Sequence, residues 1–330
     1  MENLEANEAV TNTKKKGISG STIKIIAIVA MFIDHLAASL LTRILYSASP
    51  ESFNQTLYGV IMVMRLIGRL GFPIFCFLLV EGFHKTRNRR KYALRLGMFA
   101  LISEIPFDLA FHGQVLETGY QNVFFTLLIG ILLLCAYVAI DSLTDKTQKG
   151  VDIGLALAAI IALPLYVAYK FAGVSAQVVY AVTGADYTGI IFAVVFVPGV
   201  ILLAIAYLIC RKKVSRKLLL TICGYAFATV TAMAVAGFLR TDYAGIGVLT
   251  IAAMYLFRKN RVLEMTAGCT VLTVCAPIEF TAFLTLIPVA KYNGERGLRM
   301  KYFFYAFYPV HLLLLWFIAY LMGIGSIPVV

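Results

Sequence analysis

The chain is dominated by apolar runs, each about as long as a helix that crosses a lipid bilayer. Such a helix needs about 20 consecutive, mostly apolar residues. Nine runs reach or approach that length, at 22–46, 57–82, 92–112, 122–141, 151–172, 188–210, 217–239, 244–257 and 302–323. Charged residues make up 14% of the 330 residues, whereas a soluble domain has about 25%. The sequence therefore predicts an all-α, polytopic integral membrane helical bundle. It excludes a soluble enzyme, a DNA-binding module and a secreted disulfide scaffold.

Basic residues cluster in the short segments between the runs. The net charge is +12, and clusters at 14–16, 87–91, 211–213 and 258–261 alternate with loops poor in Lys and Arg. Cytoplasmic loops of membrane proteins are enriched in Lys and Arg, which explains these clusters better than a nucleic-acid-binding patch does. The alternation of the loops then predicts a cytoplasmic N-terminus. We expect a multi-pass protein of the inner (cytoplasmic) membrane, embedded in lipid and without a nucleic-acid partner.

Composition divides the chain into two parts. Residues 1–20 are polar and predict a disordered cytoplasmic tail, whereas 21–330 predict a single transmembrane domain. The six cysteines show no Cys-x-x-Cys spacing. Neither a metal site nor a disulfide framework is therefore indicated.

The segment 262–290 departs from the pattern of one helix per apolar run. As a single span it would place the basic residues that follow it on the outer side, against the charge rule. A break at Pro277 gives two short helices and returns the chain to the inner side. Pro277 and Glu279 within an apolar run are typical of discontinuous helices that line a cavity. We prefer the broken pair, and the total stays open at ten or eleven spans. A further interruption, Gly-Phe-Pro at 71–73, predicts a kink.

The first run carries ionisable residues at an informative spacing. An ionisable side chain inside a span costs at least about 2.5–3.5 kcal/mol, so each one is a functional candidate. Lys24 and His35 are eleven positions apart, which places them on one helix face with His35 about 16 Å deeper. This face would suit an anionic cytoplasmic cosubstrate whose reactive end reaches inward; a structural histidine bonded to a neighbouring helix is the alternative. Asp34 points about 100° away from His35, so we expect it to pair with another helix.

The last run shows a related pattern. Tyr302, Tyr305, Tyr308 and His311 advance in steps of three along one slowly turning helix face. These residues predict either an aromatic packing stripe or a face that positions a substrate by hydrogen bonds.

Arg65 and Arg69 lie one helical turn apart in the second run. Like charges at this spacing repel, so a buried pair of arginines predicts anionic partners. The candidates are Glu81, Glu104 and Asp108, or a bound phosphate. Internal salt bridges and a ligand site are equally compatible with the pattern.

Several motifs, in order along the chain, resemble the TraX family. The most specific part is PIFCFLLVEGF at 73–83, TRN at 86–88 and ISEIPFD at 102–108. Weaker matches are KIIAI at 24–28, Asp-His at 34–35, QNVFFT at 121–126, YNG at 292–294 and YPVHL at 308–312. The resemblance extends from about residue 22 to residue 312 and so covers nearly the whole chain.

The resemblance implies an integral membrane acetyltransferase with acetyl-CoA as cosubstrate. The founding activity it implies is acetylation of the N-terminal amine of conjugative pilin. The family is also similar to a wider group of membrane acyltransferases, which often show an arginine, ten residues and then a catalytic histidine. Lys24 stands in the place of that arginine and His35 matches the histidine. Lysine keeps the charge but loses the bidentate fork of arginine.

The candidate site follows from these patterns together with the resemblance. His35 is expected to act as general base, and Arg65 or Arg69 to stabilise an oxyanion or bind phosphate. The candidate catalytic residues are His35, Asp34, Glu81, Glu104 and His311. The candidate cofactor-binding residues are Lys24, Arg65, Arg69, Arg87, Arg90 and Lys91. The acceptor, whether protein, lipid or sugar, is not defined by the sequence. A transporter or flippase and a non-catalytic pilus or conjugation assembly factor are the alternatives.

Overall fold

The computed structural model describes residues 17–48, 54–146, 148–298 and 301–329, and residues 1–16 of the predicted tail lie outside the described residues. The described chain is all-α, with isolated β-bridges at Ile18–Tyr292 and Gln121–Thr241 and no named strand. Its elements, in chain order, are α1 (Gly20–His35), a π-helical segment (Leu36–Leu41), α2 (Thr42–Ser47), α3 (Gln55–Gly68), α4 (Gly71–Lys85), α5 (Arg89–Phe111), α6 (Val123–Thr144), α7 (Lys149–Thr183), α8 (Thr188–Lys213), α9 (Arg216–Phe238), α10 (Ala244–Phe257), α11 (Arg261–Cys275), a 3₁₀ helix (Pro277–Thr285), α12 (Leu286–Ala290) and α13 (Lys301–Leu321).

Helical stretches within the described residues confirm the polytopic membrane bundle. Seven are long and apolar enough to cross a membrane: Gly20–Ser47, Gln55–Lys85, Val123–Thr144, Lys149–Thr183, Thr188–Lys213, Arg216–Phe238 and Tyr302–Leu321. The expected span at 92–112 corresponds to α5, which carries Arg95, Glu104 and Asp108 and is less apolar. The expected span at 244–257 is a shorter apolar helix. The expected number of spans, ten or eleven, exceeds these seven because the other helices are short or carry charge.

The broken helix pair predicted around Pro277 is confirmed. Helix α11 ends at Cys275, and the 3₁₀ helix begins at Pro277, because proline has no N–H to continue a helix and clashes with the preceding turn. The chain then returns to the start of α1, where Ile18 N–H donates to Lys291 O at 2.9 Å and Asn293 N–H donates to Ile18 O at 3.0 Å. The two sides of the break thus lead to the same end of the bundle.

We call the end of the bundle where Ile18 pairs with Tyr292 the basic end. The α4–α5 turn reaches it through Lys85, whose Nζ donates to Gly294 O at 2.9 Å. The α10–α11 turn reaches it through Arg261, whose guanidinium donates to Tyr292 O at 2.9 Å. Two of the basic clusters seen in the sequence are therefore gathered at the end where α1 begins.

Small residues allow α1 to approach the α3–α4 segment closely. The helix is interrupted just before the predicted position: α3 ends at Gly68 and α4 begins at Gly71, so the break lies at residues 69–70 and residues 71–73 form the first turn of α4. A Cβ at Gly68 would overlap the Asp34 side chain, and a Cβ at Gly71 would lie 3.4 Å from Ala27 O. The two glycines therefore set the distance between α3–α4 and the part of α1 that carries Asp34 and His35.

A buried arginine in α2 anchors the segment that follows His35. Arg43 is fully buried and follows the π-helical segment. Its guanidinium donates to Ile327 O at 2.8 Å, Ala110 O at 2.6 Å and Leu109 O at 2.9 Å. These bonds tie α2 to the end of α5 and to the C-terminal segment.

Helices α7 and α8 lie at the edge of the bundle. Helix α8 packs mainly on α7 and has no buried residue, and the buried residues of α7 are small or proline. The largest buried core cluster is formed instead by α1, α4–α6, α9–α13 and the 291–298 loop. This core contains the side chains described next.

Candidate active site

Two histidines from opposite ends of the sequence meet in the bundle. His35 at the end of α1 and His311 in α13 are joined by a hydrogen bond of 2.7 Å between His35 Nδ1 and His311 Nε2. Nδ1 of His311 lies 2.6 Å from the carbonyl oxygen of Phe307. A carbonyl can only accept, so a neutral His311 carries its hydrogen on Nδ1 and accepts at Nε2. His35 then donates from Nδ1 and keeps the lone pair of Nε2.

Aromatic rings surround the histidine pair. The His35 ring contacts Phe111 and Tyr308 edge-on, with ring centroids 5.5 and 5.6 Å apart. Phe307 stacks on His311 with centroids 4.8 Å apart. His35 Nε2 forms no hydrogen bond with any described residue. The pair therefore presents a basic nitrogen that the described chain itself does not engage.

A cavity of about 470 Å³ leads from the basic end toward this pair. Lys24, Lys85 and Arg296 line it near the basic end, and Met31, Phe124 and Tyr308 line its deeper part. Because the Tyr308 ring also contacts His35, only one layer of side chains separates the cavity from the histidines. Its volume lies in the range of about 300–1,000 Å³ that small-molecule pockets usually occupy.

The opening of the cavity is polar and its groups are held in place. Lys85 Nζ lies 2.7 Å from the Glu81 carboxylate. Tyr292 donates its hydroxyl to Glu81 at 3.2 Å. Burial, aided by the Glu81 charge, raises the pKa of Tyr292, which keeps this donor protonated. Lys24 Nζ lies 5.4 Å from the centre of the Phe304 ring, where a cation–π contact stabilises it.

The structure corrects the predicted partners of the two buried arginines. Arg65 pairs with Asp34 at 2.7 Å, and Arg69 pairs with Glu279 at 3.0 Å. Neither arginine forms a salt bridge with Glu81, Glu104 or Asp108, the candidate partners from the sequence. The prediction that Asp34 turns away from His35 toward another helix is confirmed. Both guanidiniums already have carboxylate partners, and neither lines the cavity.

Glu104 and Asp108 hold the start of α6 and the loop before it. Glu104 accepts from the side-chain amide of Asn122, which also caps α6. Asp108 accepts from the backbone N–H of Glu117 at 2.9 Å. Neither carboxylate forms a hydrogen bond with His35 or His311, so the structure does not bring Glu104 to the histidine pair.

The basic residues lining the cavity are only partly those singled out in the sequence. Lys24 is among them, whereas Arg87, Arg90 and Lys91 are exposed at the α4–α5 turn and do not line it. The sequence reasoning missed Lys85, Arg296 and Tyr292 as lining residues. Lys85 could have been singled out from the sequence, because it lies one helical turn after Glu81 and can pair with it. Among the described residues, no group of three or more His, Cys, Asp or Glu is arranged to hold a metal ion.

One family model and one named protein are similar to this chain. A family model described as "TraX protein" matches residues 19–197 and 173–319. The protein named "Probable fimbrial assembly protein FimC, serogroup H1", from Dichelobacter nodosus, is 37% identical over 125 residues. That similarity covers 35% of this chain and 45% of the relative's length, so the chain spans less than half of that protein. No solved structure matches the chain.

Proposed function

The chain belongs to the TraX family, and on that premise we propose that it is a membrane acyltransferase that moves an acetyl group from acetyl-CoA to an amine or hydroxyl acceptor. The observation that carries the proposal is the cavity, which begins among cations and ends one side chain from a histidine with an unengaged nitrogen. A long anionic cosubstrate with a reactive thioester at its far end matches that polarity.

His35 is the proposed general base. As the acceptor nitrogen or oxygen attacks the thioester carbonyl, His35 Nε2 takes its proton. The tetrahedral intermediate then collapses, the carbon–sulfur bond breaks, and the proton passes to the departing CoA thiolate. The products are acetylated acceptor and free CoA. Base catalysis of this kind contributes about 10²–10⁴-fold to a rate.

His311 is a positioning residue in this scheme. Its Nε2 accepts the hydrogen on His35 Nδ1, which orients the imidazole and holds its basic nitrogen at Nε2. It also stabilises the imidazolium that forms when Nε2 is protonated. Phe307 O fixes His311 in turn.

The donor is proposed to enter from the cytoplasm at the basic end. Lys24 and Arg296 would neutralise its phosphates at the opening, and the apolar wall formed by Phe75, Leu78 and Leu96 would line the path of its arm. This placement follows the positive-inside rule, since basic clusters gather at that end. The protein would then reside in the inner membrane with a cytoplasmic N-terminus.

The acceptor is proposed to be a subunit of a fimbria or pilus. Support comes from the name of the relative, which is a fimbrial assembly protein. The same name favours a second candidate function, a non-catalytic role in fimbrial assembly. The two functions differ in whether acetyl-CoA is consumed.

The test uses purified full-length protein, labelled acetyl-CoA and a pilin-type acceptor peptide with a free N-terminus. We expect release of free CoA with label in the peptide, and a loss of about 10²–10⁴-fold in kcat for His35→Ala. His112→Ala is the matched control, because His112 lies just past the end of α5 and does not line the cavity. Wild-type turnover in His35→Ala would refute the mechanism. Absence of thiol release with peptide, lipid and sugar acceptors would favour the assembly role.

A further inference from the structure

A second pocket adjoins the cavity at the basic end. Its volume is about 390 Å³, and Arg258, Lys259 and Arg261 line it. Glu81 and Tyr292 line both this pocket and the cavity. The two spaces are therefore neighbours separated by one tyrosine and one carboxylate. We call the second space the basic pocket.

The positive charge of the basic pocket is not neutralised within the described chain. None of its three cations forms an ion pair with a described carboxylate, and the one carboxylate that lines it, Glu81, is paired with Lys85 at 2.7 Å. Glu264 is buried nearby in the first turn of α11, but it makes no salt bridge with these cations. Three positive charges around one small space favour the binding of an anion.

Two of the cations are held rigidly. The Arg258 guanidinium lies over the Tyr255 ring at 4.0 Å and donates to Tyr255 O at 2.7 Å. Arg261 lies over the Tyr292 ring at 4.8 Å and donates to Tyr292 O at 2.9 Å. Each guanidinium has further N–H groups beyond the one used, so each can still contact an anion. Groups fixed in this way lose less entropy when a ligand binds.

The start of α11 adds to the field. Asn260 caps this helix, and both Asn260 and Val262 line the pocket. The N-terminus of a helix carries a partial positive charge that favours anions. The helix end and the three cations therefore act in the same direction.

We propose that the basic pocket binds the phosphorylated nucleotide end of the acyl-CoA donor through its ribose 3′-phosphate, while the acyl-bearing arm passes Tyr292 into the cavity. This inference rests on the proposed function. A phosphate monoester carries about −1.5 to −2 charges at pH 7 and offers oxygens that match guanidinium forks. Because the two spaces meet at Glu81 and Tyr292, one extended molecule that lies across these two side chains can occupy both. A phospholipid headgroup presents similar oxygens but a single charge, so its phosphate is the competing source.

The experiment measures equilibrium binding of CoA and of 3′-dephospho-CoA to full-length protein in detergent. We expect wild type to bind CoA about ten-fold more tightly than the dephospho compound, since a charge-assisted hydrogen bond contributes about that factor. Lys259→Ala and Arg258→Lys should weaken CoA binding by about three- to ten-fold and leave dephospho-CoA binding unchanged. Lys259 is exposed, so its removal does not disturb the core. Lys212→Ala, an exposed lysine at the end of α8, is the matched control.

Other outcomes overturn the inference in distinguishable ways. Equal affinity of wild type for both compounds, or no binding of CoA, would exclude a 3′-phosphate site. Loss of bound phosphatidylglycerol in Lys259→Ala, seen by native mass spectrometry with CoA affinity unchanged, would assign the pocket to a lipid headgroup. A 3′-phosphate preference without acetyl transfer to any acceptor would support the pocket and reject the proposed transferase. Acetyl transfer that depends on His35 but not on the 3′-phosphate would support the proposed transferase and reject the 3′-phosphate site.

Discussion

His35 Nδ1 and His311 Nε2 lie 2.7 Å apart although the two residues are separated by 276 positions in the chain. Because His311 Nδ1 faces the carbonyl of Phe307, the direction of the shared hydrogen bond is fixed from His35 to His311. The basic nitrogen of the pair is thus Nε2 of His35. The contact joins α1 to α13, so the proposed chemistry depends on how the first and last helices pack.

Replacement of His311 tests this relationship. His311→Ala removes the acceptor for His35 Nδ1–H, and we expect kcat to fall about 10- to 100-fold, the range found when outer-shell partners of metal-binding histidines are removed, with little change in KM. His311→Gln retains an acceptor oxygen and should recover part of the loss. Steady-state kinetics of acetyl transfer provide the measurement. Equal activity of the alanine and glutamine variants, or an effect on KM alone, would contradict the positioning role.

Lys24 is predicted to act on donor binding and not on the chemical step. It lines the cavity near the basic end, so Lys24→Ala should raise KM for acetyl-CoA by about ten-fold, the effect of losing one charge-assisted contact. Lys24→Arg keeps the charge and should retain near-wild-type KM. A fall in kcat with unchanged KM would place Lys24 closer to the reacting atoms than the structure does.

The Arg69–Glu279 pair is predicted to be a stability element. The two side chains are 14% and 4% exposed, and removing one partner of a buried pair costs about 3–5 kcal/mol because the other charge is left alone. Arg69→Met should therefore lower the thermal unfolding midpoint in detergent, and the double variant Arg69→Met/Glu279→Gln should recover most of it. The control is Lys217→Ala, which breaks an exposed pair with Asp145 and should leave the midpoint unchanged. A double variant no more stable than Arg69→Met would show that the pair is not coupled.

Two glycines of α3 offer a matched test of helix packing. A Cβ at Gly68 would overlap Asp34, whereas a Cβ at Gly59 meets nothing within 4 Å. Gly68→Ala should lower the unfolding midpoint and weaken acetyl transfer, because it pushes α3 away from the segment that holds His35. Gly59→Ala should be neutral or stabilising, since alanine favours a helix by about 1 kcal/mol over glycine. Similar behaviour of the two variants would mean that the α1–α3 approach is not constrained.

Periodicity and charge distribution predicted the parts of the fold that are encoded locally. The membrane bundle, the break at Pro277, an interruption next to 71–73 and the turn of Asp34 toward another helix each follow from residues close together in the sequence. All four are present in the structure. A helix face or a proline break depends on neighbouring residues, so a single sequence carries the signal.

Partners from distant helices could not be predicted in the same way. The sequence offered Glu81, Glu104 and Asp108 as candidate partners of the arginines, whereas one of the actual partners, Glu279, is 210 positions from Arg69. The contact of His35 with His311 has the same character. The sequence did not predict the π-helical segment after His35, because its residues, Leu36–Leu41, resemble those of an ordinary membrane span.

The position of α7 and α8 at the edge of the bundle separates two kinds of evolutionary constraint. No residue of α8 lines the cavity or the basic pocket, and none is buried. Substitutions on the lipid-facing side of α8 therefore need only stay apolar, whereas those at its contact with α7 are limited by packing, since a Cβ at Gly199 would lie 2.9 Å from Pro164 Cβ. The same freedom makes the turn at 184–187 a site where a rigid tag could be inserted for imaging a bundle of this small size.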